Sequence, residues 1–377
     1  MSPNHSQICT RCLMDYSDPI ISFDAEGKCN HCTEFIEKRS LHNYRGEESD
    51  RAFEQKISEI KKAGKGKSYD CVIGLSGGID SSYAAWIAKK QGLRVLAVHM
   101  DNGWNSEEAV QNIRNIAQKL GIDYESVVLN WEEFRQIQLA FLKAGVPEAD
   151  TPTDIAILAA LHLVAAKYGI KYIISGGNFA TEGILPKHWH YNAKDLTYFK
   201  HICKSFGNVK LNSFPTFGFL RETYYKLVKR IKMVYMLNYV PFDKDQAMEL
   251  LEKELNWKYY GGKHYESKYT GFIQSYYLYT KFGIDYRRAT LSSQICTGAI
   301  SRDEAIEVLK NQPYSDENVE LEKNYIAKKL GVSRTEFDAI LSNDAHWYTD
   351  YPNDEERLSK IYNLYRKLFK KEKLGSF

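Results

Sequence analysis

Leu75–Trp86 reads LSGGIDSSYAAW, and the run Tyr69–Leu75, YDCVIGL, leads into it. YDCVIGL is a short apolar stretch of the kind that forms a buried strand. A strand, a glycine-rich turn and a helical run make a phosphate site, because the N–H groups of the turn and of the first helical turn converge on one place. No Gly-Lys-Ser/Thr follows the glycines, so this is not the loop of kinases and GTPases, and no GxGxxG is present to make it a dinucleotide loop. Ser76, Gly77, Gly78, Asp80, Ser81 and Ser82 are the candidate phosphate-binding residues. The glycines let the backbone turn sharply and approach a ligand, and the serines add hydroxyl donors. The helix dipole adds about 0.3–1 kcal/mol for an anion at that end. Asp80 does not bind phosphate directly; it orients the loop or holds Mg²⁺.

Outward from the loop, RVLAVHM (94–100) is a second strand ending at DNGWNS, with a helix over 106–120. YESVVL (124–129) is a third strand, and KYIIS (171–175), preceded by a helix over 152–168, is a fourth that ends in GGNFATEG. Strands alternating with helices predict an α/β fold with a parallel sheet and ligands at the carboxyl ends of its strands. Asp101 and Asn102 then lie beside the first loop, near a nucleoside, with a plain turn over Asp101–Gly103 as the alternative. Gly176, Gly177 and Asn178 lie on the same edge.

The chain has 377 residues, 44% apolar, with a net charge of +3. That balance does not suit a protein that coats nucleic acid. No apolar run approaches ~20 residues, so no membrane span is expected. The start, MSPNHSQICTRC, lacks a basic and then apolar leader, and a cytoplasmic location is the expectation. Tyrosine is abundant at 27, which suits either polar aromatic ligands or a core with its hydroxyls at the rim.

Cys9, Cys12, Cys29 and Cys32 form CxxC, sixteen residues, CxxC. The spacing falls in the window of structural zinc sites, and four protein thiolates leave no open coordination position for catalysis. Four free buried thiols and an iron–sulfur cluster are the alternatives. The charged stretch that follows, including RAFEQKISEIKKAG, reads as a helical linker with a break at Gly64–Gly66.

The second half carries WKYYGGKHYESKYT, in which Lys263, His264 and Glu266 follow a glycine pair within four positions. Residues 268–283 are a helix with Phe272, Tyr276 and Tyr279 on one face. Arg287 and Arg288 open a further segment; an arginine there clamps a diphosphate or is a charged helix start. SRDEAIEVL (301–309) has a capping box, Ser301 with Glu304. Residues 219–232 and 354–371 have amphipathic helical spacing.

Taken together, the paired CxxC, LSGGIDSS, HMDNGWNSEEAVQNI, TPTDIAI, SGGNFATEGILPKHWHYNAKD and YYGGKHYESKYT…KFGIDYRRATLSS resemble the N-acetyl sugar amidotransferases, over about residues 8–345. These are pyrophosphate-loop ATP pyrophosphatases acting in bacterial surface polysaccharide synthesis, O-antigen and lipopolysaccharide included. The resemblance implies an adenine-nucleotide alpha-hydrolase-like α/β domain over 69–215. Around it stand an N-terminal zinc ribbon over 1–40, a helical linker over 41–68 and a mostly helical substrate or partner region over 216–377. It implies ATP and Mg²⁺ as cofactors, structural Zn²⁺, and a nucleotide-linked sugar as substrate. The implied reaction converts an acetamido group to an acetamidino group through an O-adenylyl imidate that ammonia attacks, releasing AMP and pyrophosphate.

Carried over residue by residue, Ser76–Ser82 take the ATP phosphates, with Asp80 on magnesium. Leu75, Asp101 and Asn102 take the nucleoside. Asn178 and Glu182 face the reacting centre. Lys263, His264, Glu266 and Arg288 serve the transferred phosphate or the sugar's carboxylate and diphosphate, with His264 the candidate base. Thr153 and Asp154 complete the pocket. Position 2 is Ser and no GxCxG elbow is present, so ammonia is expected from a separate glutaminase subunit, with helix 219–232 or the ribbon as its docking surface. Neither nucleic acid nor membrane is expected as a partner. The rival reading is a tRNA thiolase or lysidine-type ligase of the same superfamily. Against it stand the weak net charge and the absence of a cysteine placed for persulfide transfer.

Overall fold

The structure is a computed structural model, and it describes residues 7–42, 46–260 and 266–369. Five parallel strands form one sheet in the order β3-β2-β1-β4-β5. They are β1 Cys71–Gly74, β2 Val95–Asp101, β3 Asp123–Val128, β4 Tyr172–Ser175 and β5 Lys232–Tyr235. Residues Cys71–Ile73 are fully buried, as an inner strand covered on both faces requires. The chain steps from β1 to β2 on one side and β1 pairs with β4 on the other. The carboxyl end of β1 is therefore the switch point at which such sheets hold ligands.

The helices that position the site are α1 Asn30–His42, α2 Glu47–Gly64, α3 Ile79–Lys90, α4 Glu107–Leu120, α5 Trp131–Lys143, α6 Thr151–Lys167 and the four-residue α7 Phe179–Glu182. Ser106 caps α4 by accepting from Ala109 N–H at 3.1 Å, and Gly121 ends it in the left-handed conformation. One sheet face is covered by α2, α3, α4 and the helix Lys244–Leu255, through side chains such as Ile60, Ile87, Ile116 and Leu251. The other is covered by α6, through Leu161, Val164 and Ala165. A third and larger core holds the four ribbon cysteines together with Phe35, Phe141, Phe179 and Phe272.

Two expectations change. The helix over 219–232 ends at Val228 after a π-helical turn over Tyr224–Val228; Arg230 takes φ of 54°, and Lys232–Tyr235 joins the sheet. A boundary at residue 215 therefore falls before the fifth strand of the sheet. The helix over 268–283 runs from Lys268 to Phe282 with a π-helical turn at Ile273–Tyr277, which turns Tyr277 rather than Tyr279 into the core. The capping box at Ser301 and Glu304 is present. Among the described residues no helix is long and apolar enough to cross a membrane.

Candidate active site

The loop between β1 and α3 is shaped by its own side chains. Ser76 Oγ accepts from Gly78 N–H at 3.2 Å and lies 3.1 Å from Ser81 Oγ. Ser82 donates to the Gly78 carbonyl at 2.6 Å. Gly77 has φ of +81°, and a Cβ there would lie 2.3 Å from the Ala109 carbonyl oxygen, so α4 packs against the loop where a side chain would stand. The Gly77 carbonyl accepts from Trp257 Nε1–H at 2.9 Å and from Asn112 Nδ2 at 3.3 Å. These contacts fix the turn at the carboxyl end of β1.

Glu266 stands at this loop. A Cβ on Gly78 would lie 3.3 Å from Glu266 Oε1 and 3.2 Å from Tyr260 Oη. Burial pushes the Tyr260 hydroxyl well above its ordinary pKa, and the Glu266 and Asp80 carboxylates push it further. Ser106 N–H donates to the Glu266 carbonyl at 2.8 Å, and Asn105 bridges Ser267. Two carboxylates, Asp80 and Glu266, beside an anion cradle are the donor set a phosphate-bridging Mg²⁺ requires.

Leu75 is buried, its N–H bonded to the Val98 carbonyl at 2.9 Å. Asp101 Oδ1 accepts from Gly103 N–H at 2.9 Å and Asn102 Oδ1 from Trp104 N–H at 3.1 Å. Both side chains are used in consecutive Asx turns.

A cluster of acidic side chains lies beside the loop. Gly176 follows β4, and a Cβ on it would lie 2.7 Å from the Ser81 nitrogen, so the β4 loop and the phosphate loop touch. Asn178 is fully buried and caps α7, its Oδ1 accepting from Thr181 N–H at 2.9 Å. Glu182 folds back: its Oε2 would lie 3.2 Å from a Cβ on Gly177. At the N-terminus of α6, Asp150 accepts from Thr153 Oγ1 at 2.7 Å and from Thr270 Oγ1 at 2.6 Å. Asp154 is surrounded by protein deeply enough that burial, and then the Asp150 carboxylate, push its carboxyl up to about 7. Its side chain nevertheless remains exposed to solvent. Tyr286 belongs to the same place: burial, then Asp154, Glu182 and Asp150, raise its hydroxyl.

Sequence reasoning missed Asp150, Tyr260, Tyr286 and His190. His190 donates Nδ1–H to the Pro186 carbonyl at 3.0 Å, and burial lowers its pKa to about 4, so it is neutral with Nε2 free of a proton. Histidine and tyrosine spacing in HWHYNAKD and GIDYRR carried no local signal for this. Lys263 and His264 lie outside the described residues. Arg288 donates to the Leu13 carbonyl at 2.8 Å and lies 3.2 Å from Asp15, which joins the ribbon to the helix Arg287–Thr297.

The four ribbon cysteines are fully buried, and their sulfurs lie within 4.8 Å of one another. The Cys9–Cys32 and Cys12–Cys29 sulfur distances are 3.7 and 3.5 Å. A tetrahedron with Zn–S bonds of about 2.3 Å has edges of about 3.8 Å. The N–H groups of Cys12 and Cys29 point at Cys9 Sγ, at 3.4 and 3.1 Å, which suits a thiolate. The donor set fits zinc.

Residues 266–368 match the family described as "LPS biosynthesis protein WbpG-like, C-terminal domain". Residues 51–146 match the family described as NAD synthase. Among curated proteins, the chain is 29% identical to the tRNA-specific 2-thiouridylase MnmA 2 of Fusobacterium nucleatum over 143 residues, 34% of this chain and 40% of that one. It is 34% identical to the tRNA-specific 2-thiouridylase MnmA of Alkaliphilus oremlandii over 124 residues, 29% of this chain and 34% of that one. The chain thus spans well under half the length of these relatives. Among solved structures, an NMN synthetase from Francisella tularensis aligns with a TM-score of 0.32 at 15% identity, covering 75% of this chain and 96% of that one.

Proposed function

We propose that the chain, with its WbpG-like match over residues 266–368 and its NAD synthase match over 51–146, is an ATP-dependent, AMP-forming amidotransferase of the pyrophosphate-loop superfamily acting on a nucleotide-linked acetamido sugar. The observation that supports this most is the acidic cluster beside the phosphate loop, tied by Thr270 to the segment with the WbpG-like match.

In this reading the turn at Ser76–Ser82 holds the β- and γ-phosphates. The amide oxygen of the acetamido group attacks the α-phosphorus, the bond to the bridging oxygen breaks, and pyrophosphate leaves. Magnesium, when bound, neutralises phosphate charge, and Asp80 and Glu266 are the carboxylates beside the loop that would hold it. Ammonia then adds to the imidate carbon, the C–O bond to AMP breaks, and an amidine remains. The acidic cluster supplies a proton acceptor: Asp154, its carboxyl pushed up to about 7, accepts the proton that ammonia loses, and Asp154 and Glu182 both lie near Tyr286. Positioning and charge stabilisation carry most of the rate. Ammonia comes from a separate glutaminase subunit. The test is to mix protein, ATP, Mg²⁺, ammonium and candidate nucleotide sugars. The expected products are AMP, pyrophosphate and a sugar lighter by the difference between O and NH. ADP and orthophosphate would overturn the reading.

The second reading, a tRNA-modifying enzyme, draws support from the thiouridylases among the relatives. Thiolation by a cysteine persulfide needs an accessible, low-pKa thiol. All seven cysteines here are buried, and burial raises Cys71 well above its ordinary value and Cys203 to about 12. Tight, salt-dependent tRNA binding would favour this second reading.

A further inference from the structure

The ribbon and the loop after β4 meet along one continuous contact. Phe35 on α1 stacks on Phe179, the first residue of α7, with ring centroids 4.4 Å apart and 15° between planes. Gly183, just past α7, has no room for a side chain: its Cβ would lie 2.5 Å from the Phe35 ring. Further along the loop, Trp189 donates Nε1–H to the Ser17 carbonyl at 3.2 Å. On the opposite side, Ser293 accepts from Ile184 N–H at 2.9 Å, while its neighbour Ser292 accepts from Leu13 N–H at 3.1 Å. The loop is thus gripped by the ribbon directly and by a helix that the ribbon also holds.

A helix of four residues has no stability of its own. The position of α7, and of the Asn178 and Glu182 side chains at its two ends, therefore comes from its neighbours. We propose that the ribbon is the positioning element of the candidate site: metal bound to the four cysteines fixes α1, and Phe35 on α1 fixes Asn178 and Glu182. Phe35 is a positioning residue. The inference rests on the reading that Asn178 and Glu182 border the reacting centre.

The experiment is hydrogen exchange on zinc-loaded Phe35→Ala protein, with zinc content, ATP KM and kcat measured on the same preparation. Zinc content should stay unchanged, and exchange should quicken in peptides over 177–184 but not in α3. The kcat should fall about tenfold or more, because a small displacement of reacting groups is costly. The ATP KM should stay within about twofold, since the phosphate loop is untouched. Phe35→Leu should recover part of the loss. Ile36→Ala, on the exposed face of the same helix, should change neither quantity. Unchanged exchange and kcat in Phe35→Ala would overturn the proposal.

If Phe35→Ala fails to fold, wild-type protein stripped of zinc by a chelator decides. Faster exchange limited to the ribbon and 177–190 supports the proposal. Unchanged exchange there, or loss spread over the whole sheet, overturns it. Full turnover by Glu182→Gln, alongside faster exchange in Phe35→Ala, overturns instead the placement of the reacting centre and leaves the coupling of ribbon to loop standing.

Discussion

Thr270 donates its hydroxyl to Asp150 at 2.6 Å, across 120 residues of sequence. Asp150 also receives Thr153 at 2.7 Å, so the first turn of α6 is tied both to itself and to the helix that begins at Lys268. The latch joins the sheet domain to the segment that carries the WbpG-like match. The acidic cluster is therefore built by both halves of the chain and belongs to neither alone.

Removing the loop's Ser76 hydroxyl or its Asp80 carboxylate should abolish turnover without unfolding the protein. Ser76→Ala and Asp80→Ala should each lower AMP and pyrophosphate release by about a hundredfold or more, the usual cost of one electrostatic contact to developing charge. Both side chains lie at the rim of the fold, so the thermal midpoint should move little. Product analysis alongside calorimetry checks this.

Gly77→Ala should behave differently. The position combines φ of +81° with a clash at 2.3 Å against backbone, and backbone cannot swing aside. A loss of about 3 kcal/mol is expected from strain and overpacking together. A urea titration measures it, and an unchanged midpoint would mean that α4 does not pack there.

Asp154 links the site to pH. Burial raises its folded carboxyl to about 7, far above its ordinary 3.8, so the folded state binds the proton more tightly than the unfolded chain. Stability from this group is present below the unfolded value and is lost as pH rises through about 7. Asp154→Asn should therefore stabilise the protein at alkaline pH and leave it nearly unchanged near pH 4. In turnover the sign is opposite: the carboxylate is the active form, so wild-type rate should climb through neutrality and the Asn variant should lose that limb. Melting curves and pH–rate profiles read the two effects separately.

Glu222 gives the contrasting case. It is 4% exposed, and desolvation opposes its charge; Lys194 and Lys226 outweigh that and hold its carboxyl down to about 2. Its stabilising contribution is present above the unfolded carboxylate value and is lost as pH falls through about 2. Tyr362 also donates to it at 2.6 Å, tying the last described helix, Glu355–Phe369, to the body. Glu222→Gln should cost about 2 kcal/mol at neutral pH and loosen that helix, seen as faster hydrogen exchange there.

The cysteines separate the two functional readings without any substrate. All seven are buried, so a thiol reagent should find none in the native zinc-loaded protein and all of them after unfolding. Rapid native labelling of one thiol would reopen the thiolation reading.

The strand, turn and helix around Ser76 were legible because every part lies within a few residues and each has its own signal in glycine, serine and apolar period. The paired CxxC was legible for the same reason. The acidic cluster was not. Asp150 and Tyr286 acquire their meaning from partners more than a hundred residues away, and nothing near them distinguishes an ordinary helix start from a latch. The link from Arg288 to the ribbon was not legible because its partner, the Leu13 carbonyl, lies 275 positions earlier. The strand Lys232–Tyr235 was hidden inside an amphipathic stretch, since four residues cannot override a helical period that runs straight up to them.

The Leu13 N–H to Ser292 Oγ contact spans 279 residues. A ribosome making this chain therefore releases the paired CxxC long before the helix that braces it exists. Until residue 292 emerges, the four thiols stand without their final support, open to oxidation or to the wrong ion. The brace from Ser292 reaches the ribbon only once the distal helix has been made.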